Sequence, residues 1–283
     1  MKDPHITIYT PDSLLSSPLR MGREMFRDMA NSRELAWRLT VRDLSAQYRQ
    51  TFLGFLWAII LPLANTLTWI FLSHTGVVSV SETPLPYPVY VFTGSMLWAI
   101  LMDALNAPLR IVTASKSMLA KINFPREALV ISGVYQTIVN ALIKAALLLV
   151  ALLIMGIYPD WGLLLFPLGI LSLILVGTVI GLMLTPVGLL YTDIGKAIPL
   201  LAQFLMFLSP VVFAMPKSGL SATLFQLNPL TPLILTSRDW LTGLTPEYLG
   251  YFVAVNAVSI VLLFVFWIVF RLAMPIPIER MGS

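Results

Sequence analysis

The sequence predicts an all-α polytopic membrane protein with six transmembrane helices. Of its 283 residues, 58% are hydrophobic and only 11% are charged, and the mean hydropathy is +0.85. Soluble domains carry about 25% charged residues, so a soluble fold is disfavoured. The apolar residues also form runs of about 20 or more, which is the length that a helix needs to cross a bilayer.

Six such runs divide the chain. The predicted spans lie near residues 51–75, 87–108, 127–157, 161–190, 197–216 and 248–270. Residues 1–50 then form an N-terminal segment, 51–272 the transmembrane domain, and 273–283 a short tail. The start of the chain lacks an apolar core of the kind found in cleavable signal peptides, so we expect the first span to direct insertion.

The placement of lysine and arginine predicts the orientation. Eight of the 18 precede the first span, four follow the second, one follows the fourth and two follow the sixth. Only Lys217 and Arg238 fall on the other side, and Lys144 lies within a span. Because basic loops stay in the cytoplasm, both termini are predicted to be cytoplasmic. The net charge of +4 is explained by topology, without a nucleic-acid partner.

Residues 18–50 are predicted to form helix at the membrane surface. Asn31 and Glu34 have capping-box spacing, and an apolar stripe follows them at helical spacing. We expect an interfacial amphipathic helix, although an ordinary soluble helix packed on a partner is the alternative. Its candidate contact residues are Trp37, Arg38, Arg42, Tyr48 and Arg49.

The loop after the second span, residues 109–126, is basic and long enough for a short helix. Its apolar residues at near-helical spacing suggest docking on a cytoplasmic partner, whereas a bare topogenic loop is the alternative. The candidate contact residues are Ser115, Lys116, Met118, Leu119, Lys121, Ile122, Asn123 and Arg126.

On the far side, residues 216–247 are too polar and proline-broken to span, yet too apolar for a free loop. Re-entrant or interfacial extracytoplasmic helices near 217–240 are therefore predicted before the last span. A cap without function is the alternative.

The sequence offers little chemistry for catalysis. It has no cysteine and only two histidines, His5 and His74, so no catalytic residue and no metal site is assigned. Gly195-Lys196 resembles the end of a phosphate-binding loop, but Leu190 stands where the first glycine belongs and Ala197 replaces the Ser or Thr. No cofactor is predicted for this chain.

Two ionisable residues lie inside predicted spans, Asp103 and Lys144. Such residues are costly in a bilayer and usually face protein or a water-filled path. They could pair, line a polar conduit or relay protons. Aromatic residues could line the same conduit, or could simply belong to the interface belt. The candidate channel-lining set is Trp57, Trp69, Asp103, Lys144, Phe204, Phe207 and Phe213.

Several motifs together resemble ABC-2 type polysaccharide-export permeases. They are Arg42-Asp43-Leu44 with Tyr48-Arg49-Gln50, Leu53-Gly54-x-x-Trp57 with Pro62, Lys121-Ile-Asn-Phe-Pro125-Arg126-Glu127, Tyr191-x-Asp193-Ile194, Leu208-Ser209-Pro210-Val211, and Asn228-Pro229-Leu230. The match runs from about residue 30 to the end. The O-antigen permeases of the Wzm type are most similar, with the capsule (KpsM) and teichoic-acid permeases as relatives.

The resemblance implies a homodimer in the bacterial inner membrane, carried by two copies of an ABC ATPase subunit of the Wzt type. That partner would bind ATP and Mg²⁺, and the cargo would be a polyprenyl-pyrophosphate-linked polysaccharide. The family's surface helix, coupling helix and gate helices would correspond here to residues 33–50, 112–124 and 217–240. An ABC-2 exporter of small molecules or drugs is the first alternative. A proton-coupled flippase and an intramembrane enzyme follow.

Overall fold

A computed structural model of the chain describes residues 18–49, 56–77, 82–119, 127–216 and 218–274. Predicted contact residues at positions 121, 122, 123 and 126 lie outside these ranges, as do the tail beyond 274 and the motif around Leu53. The side chains of Tyr48 and Arg49 are likewise outside the description.

The described residues are helical almost throughout. The helices are α1 (Pro18–Asn31), α2 (Arg33–Arg49), α3 (Trp57–His74), α4 (Tyr87–Ala114), α5 (Lys116–Leu119), α6 (Glu127–Ile154), α7 (Phe166–Leu190), α8 (Asp193–Phe207), α9 (Gly219–Leu227), α10 (Leu230–Thr242) and α11 (Leu249–Ala273). A 3₁₀ turn at Trp161–Leu164 precedes α7. The prediction of an all-α chain is confirmed.

Four of these helices, α4, α6, α7 and α11, are long and apolar enough to cross a membrane. Helices α3 and α8 coincide with the first and fifth predicted spans but have only 18 and 15 residues. At 1.5 Å per residue they measure about 27 Å and 22 Å. A multi-pass membrane protein is thus supported, and the count of six spans stays a prediction.

Helix α4 lies at the centre of the bundle and packs most extensively against α7 and then α6. Glycines in α7 permit the close approach: a Cβ at Gly177 would lie 2.6 Å from the Leu101 carbonyl oxygen, and one at Gly181 would lie 2.4 Å from that of Leu105. Backbone-to-backbone contact of this kind through small residues is typical of membrane helix packing.

The N-terminal helices pack against the end of the bundle that carries Arg110 and Arg271, here called the basic end. Arg271 on α11 bonds both Glu127 on α6 (2.9 Å) and Asp28 on α1 (2.8 Å). On α2, the hydroxyl of Thr40 meets that of Ser132 on α6 at 3.2 Å. These bonds join the two N-terminal helices to the third and sixth predicted spans.

Several element boundaries differ from the predicted ones for local reasons. Helix α8 begins at Asp193 and ends at Phe207, well short of residue 216, because Pro210 disfavours helix at the residue before it. Residues 112–114 belong to α4, so the described part of the predicted coupling helix is reduced to the four-residue α5. Residues 18–49 form two helices that break at Ser32, not one.

Candidate functional site

The irregular backbone after α8, residues 208–213, lies at the opposite end of the bundle from the basic end. A helix break leaves carbonyl groups without helical partners, and in a membrane such groups need partners from the protein. The hydroxyl of Tyr90 on α4 lies 3.2 Å from the carbonyl oxygens of Pro210 and Phe213, and its single proton can be donated to either or shared between them. Tyr90 therefore provides one donor to the broken segment, within reach of both of these carbonyls.

Arg238 on α10 holds the same segment from the other direction. Its side chain is 0% exposed, with Nη2 donating to the carbonyl oxygens of Val211 and Tyr90 at 3.2 Å. Nε donates to the hydroxyl of Thr93 at 3.2 Å, and the guanidinium lies 3.7 Å from the centre of the Tyr90 ring. Carbonyls and a ring face thus compensate part of the buried cation, while Nη1 has no hydrogen-bond partner and no carboxylate bonds to the guanidinium among the described residues.

Gly94 makes room for this arginine. A Cβ at position 94 would lie 2.3 Å from Nη2 of Arg238 and 2.3 Å from the carbonyl oxygen of Val211. No real side chain tolerates contacts this short, so the guanidinium and the turn can approach α4 only over a glycine.

Asn228, between α9 and α10, completes the arrangement. Its Nδ2 donates to the Leu208 carbonyl oxygen and to Ser209 Oγ, both at 2.9 Å, and its Oδ1 accepts from the Leu230 backbone amide at 2.9 Å. The motifs Leu208-Ser209-Pro210-Val211 and Asn228-Pro229-Leu230 are therefore two halves of one contact. We call Tyr90, Arg238 and Asn228, together with the backbone 208–213 that they hold, the carbonyl clamp.

Three of the predicted channel-lining aromatics meet beside the carbonyl clamp. The ring of Trp69 on α3 lies 5.8 Å from that of Phe207 and 5.7 Å from that of Phe213, both edge-on. Phe204 and Trp57 lie outside this cluster and are 61% and 44% exposed. The structure therefore joins α3 to the end of α8 through aromatic contacts.

Asp103 on α4 and Lys144 on α6 form an ion pair. The pair ends a polar stripe on α6 at four-residue spacing, made of Ser132, Gln136, Asn140 and Lys144. Below it, Gln136 donates to Asp43 on α2 at 3.1 Å and accepts from Arg110 on α4 at 3.4 Å. A polar seam thus runs between α2, α4 and α6, from the basic end towards mid-span.

The predicted surface residues at the basic end divide into two groups. On α2, the buried face is Ala36, Leu39 and Thr40, which leaves Trp37 55% exposed, with its ring edge against Tyr135. Arg38 pairs with Glu34 (2.6 Å) and Arg42 with Asp43 (2.7 Å). The exposed apolar and basic face of α2 suits a membrane surface.

In the predicted coupling segment, Ser115 is buried, Lys116 is half-buried, and Met118 and Leu119 pack against a cluster that includes Leu39 and Ile111. Two of the apolar residues that the sequence offered for partner docking therefore contact this chain's own bundle. The contacts fix the position of α5 against α4 at the basic end of the bundle.

A pocket of about 510 Å³ opens beside the carbonyl clamp, and Asp239 is its most buried carboxyl group at 9% exposed. Loss of hydration raises the pKa of Asp239 to about 6, against an ordinary value of 3.8; Arg238 opposes the shift and Glu247 adds to it. The folded state therefore holds a proton on Asp239 more tightly than the unfolded chain does.

This shift predicts a pH-dependent stability. Because the native pKa is the higher one, the free energy of unfolding should fall as the pH rises from about 4 to about 6, by at most about 3 kcal/mol. Asp239→Asn should remove that slope and raise the melting temperature at pH 7.5, measured by thermal unfolding in detergent. Asp193→Asn is the matched control, because the Asp193 side chain is 91% exposed. An unchanged slope in Asp239→Asn would contradict the assignment.

The sequence alone missed Tyr90, Gly94 and Arg238 as a unit. One signal was available: Arg238 is an arginine within the otherwise mostly uncharged stretch from 218 to 238, on the side predicted to hold few basic residues. Its partners on α4 lie nearly 150 residues earlier, and nothing in the sequence pairs the two positions.

The long apolar helices define a multi-pass helical membrane protein. The carbonyl clamp fits this class, because it provides hydrogen-bond partners for non-helical backbone between apolar helices. No family model matches the chain. It is 24% identical over 220 residues to the O-antigen export system permease protein RfbA of Myxococcus xanthus, covering 76% of this chain and 82% of that protein. A Klebsiella pneumoniae RfbA is 24% identical over 218 residues, covering 74% and 81%.

The polysialic acid transport protein KpsM of Escherichia coli is also similar, with 24% identity over 226 residues that cover 77% of this chain and 84% of KpsM. These similarities confirm the resemblance seen in the motifs. The chain is similar to polysaccharide-export permeases of the ABC-2 type.

Proposed function

We propose that the chain is the channel-forming permease subunit of an ABC transporter that exports a lipid-linked polysaccharide, such as an O antigen, across the cytoplasmic membrane. The observation that carries the proposal is the similarity to RfbA and KpsM proteins over about three quarters of the chain. ATP and Mg²⁺ would bind to a separate ATPase subunit, of which two copies would serve a homodimer of this chain.

The exposed apolar faces support assembly around a channel. Helix α3 exposes Leu61, Leu67 and Phe71, and α8 exposes Leu200, Leu201 and Phe204. The two helices contact each other at Trp69 and Phe207, so the two exposed apolar faces belong to neighbouring helices. A second copy placed against them would enclose a passage with aromatic walls, which suits a sugar polymer because rings contact pyranose faces without binding one unit tightly.

In this proposal the orientation is taken from the lysine and arginine residues, because loops rich in them stay in the cytoplasm. Both termini, α5 and the polar seam would then lie on the cytoplasmic side. The carbonyl clamp, α9 and α10 would then face the outside, at the exit of the passage. ATP-driven movement of the partner would act on α5 and reach α4, from which α5 is separated by Ser115 alone.

The proposal is tested in the native host by deleting the gene and fractionating the surface polysaccharide. Lipid-linked polymer retained on the cytoplasmic side, with none at the surface, is the expected result. Normal surface glycan would exclude this substrate class and favour an exporter of small molecules.

Coupling to the ATPase predicts a sensitive residue in α5. Lys116→Glu reverses a charge at the start of this helix and should reduce co-purification of the ATPase subunit at least tenfold. An interface that is complementary to the lysine would then bring like charges together, which costs several kcal/mol. The measurement is affinity purification of the tagged permease with quantification of the bound ATPase.

Lys196→Glu is the matched control, since Lys196 is an exposed lysine in the first turn of α8 at the same end of the bundle. It should retain the ATPase. Normal recovery with Lys116→Glu, or equal loss with both variants, would exclude a specific role for α5.

A further inference from the structure

The pocket beside the carbonyl clamp is built from four separate parts of the chain. Its volume of about 510 Å³ lies within the range of small-ligand sites. The lining residues come from the segment before α4 and α4 itself, from 214–216, from α9 and α10, and from the segment before α11: they include Glu82, Tyr90, Met215, Gln226, Asp239, Thr245, Glu247 and Tyr248.

Five polar side chains of this pocket have no hydrogen-bond partner among the described residues. The side chains of Glu82, Gln226, Asp239, Thr245 and Glu247 make no hydrogen bond and no ion pair there. For the exposed ones water suffices, but Asp239 is more than nine-tenths buried. Its carboxyl oxygens are not among the fully buried unpaired atoms of the described residues, so they reach the pocket and can accept hydrogen bonds from a ligand there.

Tyr248 presents ring surface to the pocket, whereas Tyr90 is only 1% exposed and forms part of the pocket wall. The hydroxyl groups of both tyrosines are engaged elsewhere. The Tyr90 hydroxyl bonds the carbonyl clamp, and the Tyr248 hydroxyl donates to Met215 Sδ at 3.0 Å. The Tyr90 ring is held further by Arg238. One accessible ring, that of Tyr248, thus stands in the pocket with three carboxyl groups, an amide and a hydroxyl.

That combination selects a class of ligand. An ionised carboxylate only accepts hydrogen bonds, so the ligand must bring several donors on neighbouring atoms, and it must also offer an apolar face to the Tyr248 ring. A pyranose unit meets both requirements through its hydroxyl groups and its C–H face. A negatively charged ligand does not, because the described lining residues carry three carboxyl groups and no cation.

We propose that this pocket binds one sugar unit that carries no negative charge, either neutral or amino-bearing. The binding of such a sugar follows from the pocket alone. That it belongs to the exported glycan rests on the proposed function, in which the pocket lies at the exit beside the carbonyl clamp.

The test uses the purified full-length protein in nanodiscs at pH 7.5, with methyl glucoside, glucosamine and glucuronic acid as probes in saturation-transfer NMR. The first two should give transfer, and glucuronic acid should give at least about tenfold less. Glu247→Gln removes a negative charge and one acceptor oxygen, and Gln226→Ala removes an amide; each should weaken binding roughly tenfold. Tyr248→Ala should abolish it, and Tyr248→Phe, which keeps the ring, should restore it.

Asp193→Asn changes an exposed carboxylate on α8 and should leave sugar binding unchanged; a melting temperature for every variant shows that it is folded. Transfer to glucuronic acid equal to that of the neutral sugar would overturn the proposal, as would no transfer to any probe. Folded Glu247→Gln, Gln226→Ala and Tyr248→Ala variants that all bind like the wild type would overturn it too.

The test of sugar binding and the test of the proposed export function can fail independently. If sugars bind but deletion of the gene leaves the surface glycan normal, the export proposal fails and the pocket stands. If the glycan depends on the gene but no sugar binds, the pocket proposal fails and export stands.

Discussion

Replacing Gly94 with alanine is expected to destabilise the protein by about 1–3 kcal/mol, the range for overpacking a close-packed interior. The added Cβ would lie 2.3 Å from both Arg238 Nη2 and the Val211 carbonyl oxygen, so both groups must move. The movement breaks the hydrogen bonds that hold the irregular segment after α8. We expect a lower melting temperature in detergent and the loss of most export in the native host.

Gly250→Ala is the matched control, because Gly250 is also helical and a Cβ there meets nothing within 4 Å. It should keep the wild-type melting temperature and export. Arg238→Lys tests the other side of the contact: a lysine keeps the charge but lacks the fork that reaches two carbonyl groups and a hydroxyl at once. If the Gly94→Ala and Arg238→Lys variants both show the wild-type melting temperature and wild-type export, the carbonyl clamp has no role in stability or transport.

The size of the expected effect on export follows from what the carbonyl clamp connects. It bonds α10 to α4 and to the backbone that continues from α8, while Phe207 and Phe213 continue the contact to Trp69 on α3. A change at Gly94 therefore alters four helices at the proposed exit. Lipid cannot replace the lost partners, because it offers no donor to a free carbonyl group.

The apolar helices were predictable because each one carries its signal within itself. Helices α6, α7 and α11 have long runs of apolar residues, and the ends of α6 and α11 fall within a few residues of the predicted ones. The end of α8 was missed because the run stays apolar through Val211 and Val212, and only Pro210 marks the break. The apolar composition of a run predicts that it avoids water, whereas the position at which the helix breaks depends on backbone geometry.

The candidate site was less predictable because its contacts are long-range. Asp103 and Lys144 were each conspicuous within an apolar run, yet their pairing depends on how α4 and α6 are aligned. The carbonyl clamp joins positions 90, 94, 211, 228 and 238, and Gly94 has meaning only once Arg238 faces it. The sequence could identify single residues as candidates for the site, but which of them contact each other depends on how the helices pack.

Removing the charge of Lys144 alone is expected to be among the most damaging single changes at mid-span. Lys144→Met would leave the Asp103 carboxylate without its partner in a part-buried position, and breaking a buried ion pair in this way costs about 3–5 kcal/mol. We expect little folded protein in the membrane, measured as the monodisperse fraction after detergent extraction. Asp103→Leu combined with Lys144→Met removes both charges and should restore the folded yield, since apolar replacements of a buried pair are often neutral or stabilising.

The double variant then distinguishes a structural pair from a working one. Wild-type yield together with wild-type export would mean that the pair only holds α4 to α6. Wild-type yield without export would mean that the polar seam takes part in transport, and loss of export on dissipating the proton gradient in otherwise intact cells would favour the flippase alternative. A normal yield of Lys144→Met by itself would contradict the ion pair, because a lone carboxylate at that depth needs another partner.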